Sequence, residues 1–220
     1  MTCKQLCIHE IFLSLQGEST WAGRPCVFVR LAGCPLECAW CDTQKARSAS
    51  SGSDLSVEEI VSRAMAMARP RGKGGPMALV TGGEPLAQEA SLGLLTSLCD
   101  QGYPTSIETS GALPIDAVDP RVKIVMDLKC PGSGMSHRNR LENIPLLKPF
   151  DEVKLVIADR RDFDWASAMI ETHRLGDRVE AVLLSPVFGV LDPRVLSEWI
   201  LELRPAARIH LQLHKILGIL

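Results

Sequence analysis

The chain has 220 residues, 46% of them apolar and 23% charged, with a formal net charge of -2, the profile of an ordinary globular protein long enough to bury a large core. That balance argues against a general nucleic-acid binder, and no apolar run reaches the ~18–20 residues needed to span a bilayer. Residues 1–10 hold neither the basic segment nor the apolar segment of a secretory signal, so a cytoplasmic location is expected.

Residues 26–31 (CVFVRL) predict the first buried strand, being rich in β-branched and aromatic residues. Three of the eight cysteines, Cys34, Cys38 and Cys41, crowd into the loop after it. The polar stretch 48–53 predicts a connection, and a helix is expected over 57–68 with Asp54 or Ser56 as N-cap and Glu58 and Glu59 in the first turn. Pro/Gly-rich residues 70–76 end that helix, and a strand over 77–81 runs into a turn at 82–85. A helix over 88–101 and strands over 105–108, 122–128 and 153–158 follow. The remaining elements are a helix over 162–174, a strand over 179–184, a helix over 193–203 opening on Pro193, and an apolar stretch at 209–213.

Six apolar strands interleaved with helices predict an α/β fold with a parallel sheet, an open, partial (β/α)6-type barrel. No break in composition divides the chain, so residues 1–220 are expected to form a single domain. Ligands in parallel α/β folds gather at the C-terminal ends of strands. The cysteine loop, residues 82–85, 108–111, 127–129 and 185–188 all fall there.

The loop reads C-x3-C-x2-C. Thiolates this close in sequence can wrap an iron–sulfur cluster, and three ligands on a four-iron cube leave one iron open for catalysis. Zinc is the main competitor, but a structural zinc wants four ligands and no good fourth lies nearby: His9 precedes the loop by a whole strand and the next histidine is His137. An electron carrier would normally supply a fourth cysteine. Cys26 and Cys99 are expected in the core as small hydrophobes, and Cys3 and Cys7 are too few for a second cluster. Cys130 has no assigned role.

With Trp40 before the last cysteine, and Thr81, Gly82, Gly83, Glu84 and Pro85 following in the next β/α unit, the loop resembles that of the radical S-adenosylmethionine (SAM) superfamily. The resemblance implies a [4Fe–4S] cluster on Cys34, Cys38 and Cys41 whose free iron binds SAM, and reductive cleavage to a 5′-deoxyadenosyl radical. Within the superfamily, the run from Glu10 through Leu15, Gln16, Gly17 and Glu18, its spacing to Arg30, and the later Glu108, Asp127, Lys129, Gln212 and His214 are similar to the 7-carboxy-7-deazaguanine synthase family. That resemblance covers essentially the whole chain. It implies conversion of 6-carboxy-5,6,7,8-tetrahydropterin to 7-carboxy-7-deazaguanine with loss of ammonia, in queuosine and 7-deazapurine biosynthesis.

Carried over residue by residue, the resemblance puts the pterin on Leu15, Gln16, Gly17, Glu18, Arg30, Thr81, Glu108, His214 and the main chain of Leu220. Arg30 would pair with the substrate carboxylate, which a guanidinium suits. SAM would meet Trp40, Cys41, Asp42, Gly83, Asp127, Leu128, Lys129, Ser185, Pro186, Val187 and Phe188. Thr43 would be the one protein ligand of Mg²⁺, an ion that commonly keeps substrate oxygens and water as its other ligands. The same resemblance implies a homodimer and an electron donor such as flavodoxin or ferredoxin. The alternative within the superfamily is an activase that installs a glycyl radical on a partner protein. The carboxylate clamp and Thr43 argue against it.

Overall fold

The first element is one that the sequence reading does not predict. The computed structural model describes residues 5–71 and 74–219, so Leu220 and Cys3 lie outside the described residues. Strand β1, Gln5–Leu15, pairs antiparallel with β2, Pro25–Leu31. Its apolar residues fall out of step because a β-bulge lies between Ile8 and Glu10. One extra residue flips the period-two pattern, which keeps Leu6, Ile8 and Ile11 on the main core. It also sends Phe12 to the opposite face, stacked on Phe28 with ring centroids 4.8 Å apart.

Residues 48–53 are likewise more than a connection. They hold a 3-10 turn, Ala49–Ser51, and lead into β3, Ser53–Ser56, antiparallel to β1. Helix α1, Val57–Met67, is capped by Ser56, whose hydroxyl accepts from the Glu59 N–H while the Glu59 carboxylate accepts from the Ser56 N–H. That reciprocal box makes Ser56 rather than Asp54 the cap. After β4, Met77–Gly82, Glu84 caps a 3-10 turn at Pro85–Ala87, so α2, Ala90–Asp100, starts later than expected.

Strands β5, Thr105–Thr109, β6, Lys123–Asp127, and β7, Glu152–Ile157, come next. Neither crossover between them contains an α-helix: the one from β5 to β6 is irregular, and the one from β6 to β7 holds three 3-10 turns. Pro114, Pro120, Pro131, Pro145 and Pro149 fall in those stretches, and proline removes the donor an α-helix needs. The remaining elements are α3, Arg160–Thr172, capped by Asp159; α4, Leu175–Arg178; β8, Ala181–Pro186; α5, Pro193–Leu203, capped by Asp192; β9, Arg208–Ile209; and α6, Leu213–Leu217.

The strand order is β3-β1-β2-β4-β5-β6-β7-β8-β9, with β2 and β4 to β9 parallel. The six expected parallel strands are therefore present in an open sheet. An antiparallel pair extends it at one edge and a two-residue strand at the other. Alternate residues face opposite sides. Val27, Val80, Ile107, Met126, Leu155 and Leu184 join the helices in one core, whereas Phe28, Arg30, Thr81, Glu108, Asp127 and Lys154 line the other, concave side.

Lower on that concave side the polar residues Lys123 and Glu152 are almost fully buried and form an ion pair at 2.6 Å. Glu152 also accepts from the Thr20 N–H at 3.0 Å, Lys123 pairs with Glu180, and its Nζ lies 5.3 Å from the Trp21 ring centroid. The network fastens the segment after β1 beneath the sheet. Among the described residues no helix is long and apolar enough to cross a membrane.

Candidate active site

The cysteine loop leaves β2 and is clamped by main-chain hydrogen bonds on three sides. Gly33 and Cys34 donate to Ala46 and Arg47 carbonyls at 2.8 and 3.0 Å, Ala39 donates to the Ser133 carbonyl at 3.1 Å, and Glu84 donates to the Gly33 carbonyl at 2.9 Å. The last bond explains the glycines after β4. A Cβ on Gly83 would sit 2.1 Å from the Gly33 oxygen, and Gly82 has φ +129° with a would-be Cβ 2.2 Å from the Leu31 oxygen. The backbone that approaches so closely is that of the cysteine loop itself, so these glycines seat the loop on the strand.

Cys34, Cys38 and Cys41 are half-buried free thiols that line one cavity. Burial pushes Cys34 up from its ordinary value, and the other two thiols raise it further. Burial raises Cys38 as well, opposed by the Lys129 ammonium. Three soft sulfur donors converging on one cavity, two of them held back from ionising, are a donor set completed by a cationic metal centre. The residues present thus fit a cluster, and among the described residues no fourth cysteine lines the cavity.

The cavity holds about 380 Å³, the size of small-molecule sites. The structure brings into its wall Leu15, Gln16, Gly17, Glu18, Arg30, Thr81, Glu108 and His214, all expected around the pterin. It also brings in Trp40, Asp42, Thr43, Gly83, Asp127, Lys129, Val187 and Phe188. Leu128, Ser185 and Pro186 do not line it. Leu128 points into the helix-side core, and Ser185 is 1% exposed with no hydrogen-bond partner for its hydroxyl. Strand alternation is the reason for Leu128: its neighbours Asp127 and Lys129 take the cavity side.

The N- and C-terminal segments close over one another. The Leu213 N–H donates to the Gly17 carbonyl at 2.9 Å, and a Cβ on Gly17 would lie 2.1 Å from His214 Nδ1. A side chain at residue 17 and the observed position of His214 therefore exclude one another. The Gln212 amide donates to Glu18 at 2.7 Å and Asp42 at 3.2 Å, and accepts from Lys215 Nζ at 2.6 Å. His210 Nε2 accepts from the Ser19 N–H at 2.7 Å, which leaves Nδ1 to donate to the Leu211 carbonyl. Carboxylate atoms of Glu18 and Asp42 and an imidazole nitrogen of His214 lie within 4.8 Å of one another, but Gln212, Lys154 and Lys215 already satisfy and balance that group.

Charge is sorted sharply across the cavity floor. Burial raises the Glu18 carboxyl, but Lys154 Nζ at 2.7 Å and the Gln212 amide outweigh it and hold the group at about 2. Asp127, between Lys129 and Lys154, is also lowered despite its burial. Among the described residues Glu108 is hydrogen-bonded by neutral donors, Gln16 Nε2 at 3.4 Å and Thr81 Oγ1 at 3.3 Å. Burial, helped by the charges of Glu18, Asp127 and Asp42 and only partly offset by Lys154, pushes it up to about 7. Arg30 reaches the cavity with its Nε 2.8 Å from Glu10 Oε1.

Several lining residues escape the sequence reading. Lys154 is the chief one, although a lysine inside the apolar run 152–157 is itself a signal, because buried lysines need partners. Phe28, Leu36 and Val156 also line the cavity, as do Gln212 and Lys215, which belong to the C-terminal run that resembles the family but carry no role from that resemblance. Asn139 does not, yet its amide bonds both the N–H and the carbonyl of Lys129, at 2.8 and 2.9 Å. The loop around His137 is thereby tied to the site.

Residues 29–127 match the family model described as the radical SAM superfamily. The chain is 43% identical to the 7-carboxy-7-deazaguanine synthase of Chlorobaculum tepidum, over 94% of this chain and 92% of that one. It is 39% identical to the 7-carboxy-7-deazaguanine synthase of Koribacter versatilis, over 94% and 95%. The crystal structure of QueE from Escherichia coli shares the fold, with a TM-score of 0.76 at 24% identity over 96% of this chain and 95% of that one.

Proposed function

The chain belongs to the 7-carboxy-7-deazaguanine synthase family of radical SAM enzymes, and from that premise we propose how its cavity carries out the family's ring contraction. The reaction takes 6-carboxy-5,6,7,8-tetrahydropterin to 7-carboxy-7-deazaguanine with release of ammonia. The observation that carries the reading is the convergence, in one cavity, of the three-cysteine loop with Arg30, Thr81 and Glu108. Whole-chain identity to synthases sets the activase reading aside.

Cys34, Cys38 and Cys41 are the residues that would hold the [4Fe–4S] cluster, which with SAM and an external reductant supplies a hydrogen-abstracting 5′-deoxyadenosyl radical. Trp40, Asp42, Gly83, Asp127 and Lys129 line the adjoining wall and would bind SAM, with Val187 and Phe188 beside them. Arg30, steered by Glu10, would take the substrate carboxylate. Gln16, Thr81 and Glu108 would contact the pterin edge, and His214, packed on Gly17, would cover it, with the Leu220 main chain beyond. Thr43, whose hydroxyl lies 3.5 Å from the Gly82 carbonyl, would be the protein ligand of Mg²⁺. The remaining expectations complete the proposal: one radical SAM core, a homodimer, flavodoxin or ferredoxin as reductant, no nucleic-acid partner and a cytoplasmic location.

Anaerobically reconstituted protein should turn over the carboxytetrahydropterin when given reductant, SAM and Mg²⁺. Formation of 5′-deoxyadenosine without any deazaguanine would overturn the substrate assignment. Arg30→Ala should raise KM by about 100-fold, on the order of the 2–3 kcal/mol of a charge-assisted hydrogen bond, with iron content unchanged. Equal loss of iron and of substrate binding would contradict the clamp.

A further inference from the structure

We propose that Lys154 is a positioning residue that neutralises Glu18 and Asp127, and so leaves Glu108 as the carboxylate whose charge the substrate's own N–H groups must answer. The proposal rests on the pterin reading above and deepens it. A fused pyrimidinone of that class carries adjacent ring N–H and amino donors, and a carboxylate with two accessible oxygens is their complement.

The geometry sorts the groups. Lys154 Nζ, on β7, lies 2.7 Å from Glu18 Oε2 and 3.4 Å from Asp127 Oδ1. The neighbouring cations are engaged elsewhere: Lys129 on Asp127, Arg30 on Glu10, and Lys215 on Asp42 and Gln212. Glu108 faces Gln16 and Thr81, both neutral, over long hydrogen bonds. Glu18, Asp127 and Asp42 repel charge on it, while Lys154 attracts it. Burial keeps His214 below its ordinary value, so it adds little positive charge near neutral pH.

Two consequences follow from this arrangement. Below about pH 7 Glu108 is protonated and must lose its proton to accept two N–H donors, so binding there releases a proton. Without Lys154, Glu18 would lose its cation and Asp127 would keep only Lys129, so ionising Glu108 beside them would need a higher pH. Lys154 therefore sets the pH range over which the site accepts its ligand, through Glu108 and without touching the reacting atoms.

The test uses cluster-reconstituted protein with SAM, titrated anaerobically by calorimetry with the non-reacting product 7-carboxy-7-deazaguanine. In the wild type, affinity should be level above about pH 7 and fall about tenfold per unit below it, with about one proton released per ligand on the falling limb. K154M should move the break upward by about one unit or more, K154R should restore it, and E18Q, removing a repelling charge, should move it downward. An unmoved break in K154M, or an upward shift in E18Q, would overturn the proposal. Should K154M fail to fold, E18Q and K154R decide it. A wild type that cleaves SAM but binds no product would overturn the pterin reading, and this inference with it. Product binding with an unshifted break would overturn this inference alone.

Discussion

Replacing Cys41 with alanine is expected to reduce turnover to background while leaving the fold in place. The thiol is half-buried, and it is not part of the apolar core. What holds its loop is main-chain bonding, from Cys41 N to the Cys38 carbonyl, from Ala39 N to the Ser133 carbonyl, and from Glu84 N to the Gly33 carbonyl. Alanine removes none of these bonds, so thermal stability of the metal-free protein should change by less than about 1 kcal/mol. Three ligands are the minimum the cavity offers, however, and a four-iron cube held by two thiolates would have two open irons. Iron analysis after anaerobic reconstitution and an assay for 5′-deoxyadenosine check the prediction together. The same result is expected at Cys34 and Cys38. A C41A protein that still cleaves SAM would remove the cluster from this loop.

The second large effect is on stability and lies away from the cysteines. Lys123→Met is expected to cost about 3 kcal/mol or more, because it strands Glu152, which is fully buried, without its cation. The Thr20 N–H and hydroxyl still donate to that carboxylate, which keeps the cost toward the lower end of the range for broken buried pairs. Glu180 is half-exposed and can rehydrate. A loss of about 3 kcal/mol corresponds to a fall of roughly 6–12 °C in Tm for a domain of this size. The double variant K123M/E152L should recover most of the loss, since a buried ion pair can be replaced by packed apolar side chains. A single variant melting within about 2 °C of the wild type would show that the pair contributes little.

Much of this architecture is legible in local pattern. The parallel strands announce themselves because both faces of each are largely buried, and apolar runs bounded by turn residues leave few other readings. Ser56 and Glu59, three apart, carry the start of α1 in their own chemistry. The antiparallel edge is less visible. In β1 the bulge between Ile8 and Glu10 breaks the alternation that would have identified it. In β3 four mostly polar residues become a strand only because β1 lies alongside. The glycines after β4 are visible as turn residues, but their task of admitting the Gly33 backbone belongs to a neighbour some fifty positions away.

The site divides along the same line. Spacing alone shows that Cys34, Cys38 and Cys41 can share one metal centre, since a loop of eight residues can fold back and bring thiolates this close in sequence onto one compact group. The tertiary structure decides which charges meet. Lys154 finds Glu18 across 136 positions, and Gln212 finds Asp42 across 170. It also decides that Glu108, with no cation of its own, remains the carboxyl free to change charge near neutral pH. Ligand spacing is a short-range property of the covalent chain, readable from residue order. The ionisation of a buried group depends on its desolvation and on charges a few ångströms away in space, and only the folded sheet brings those residues together.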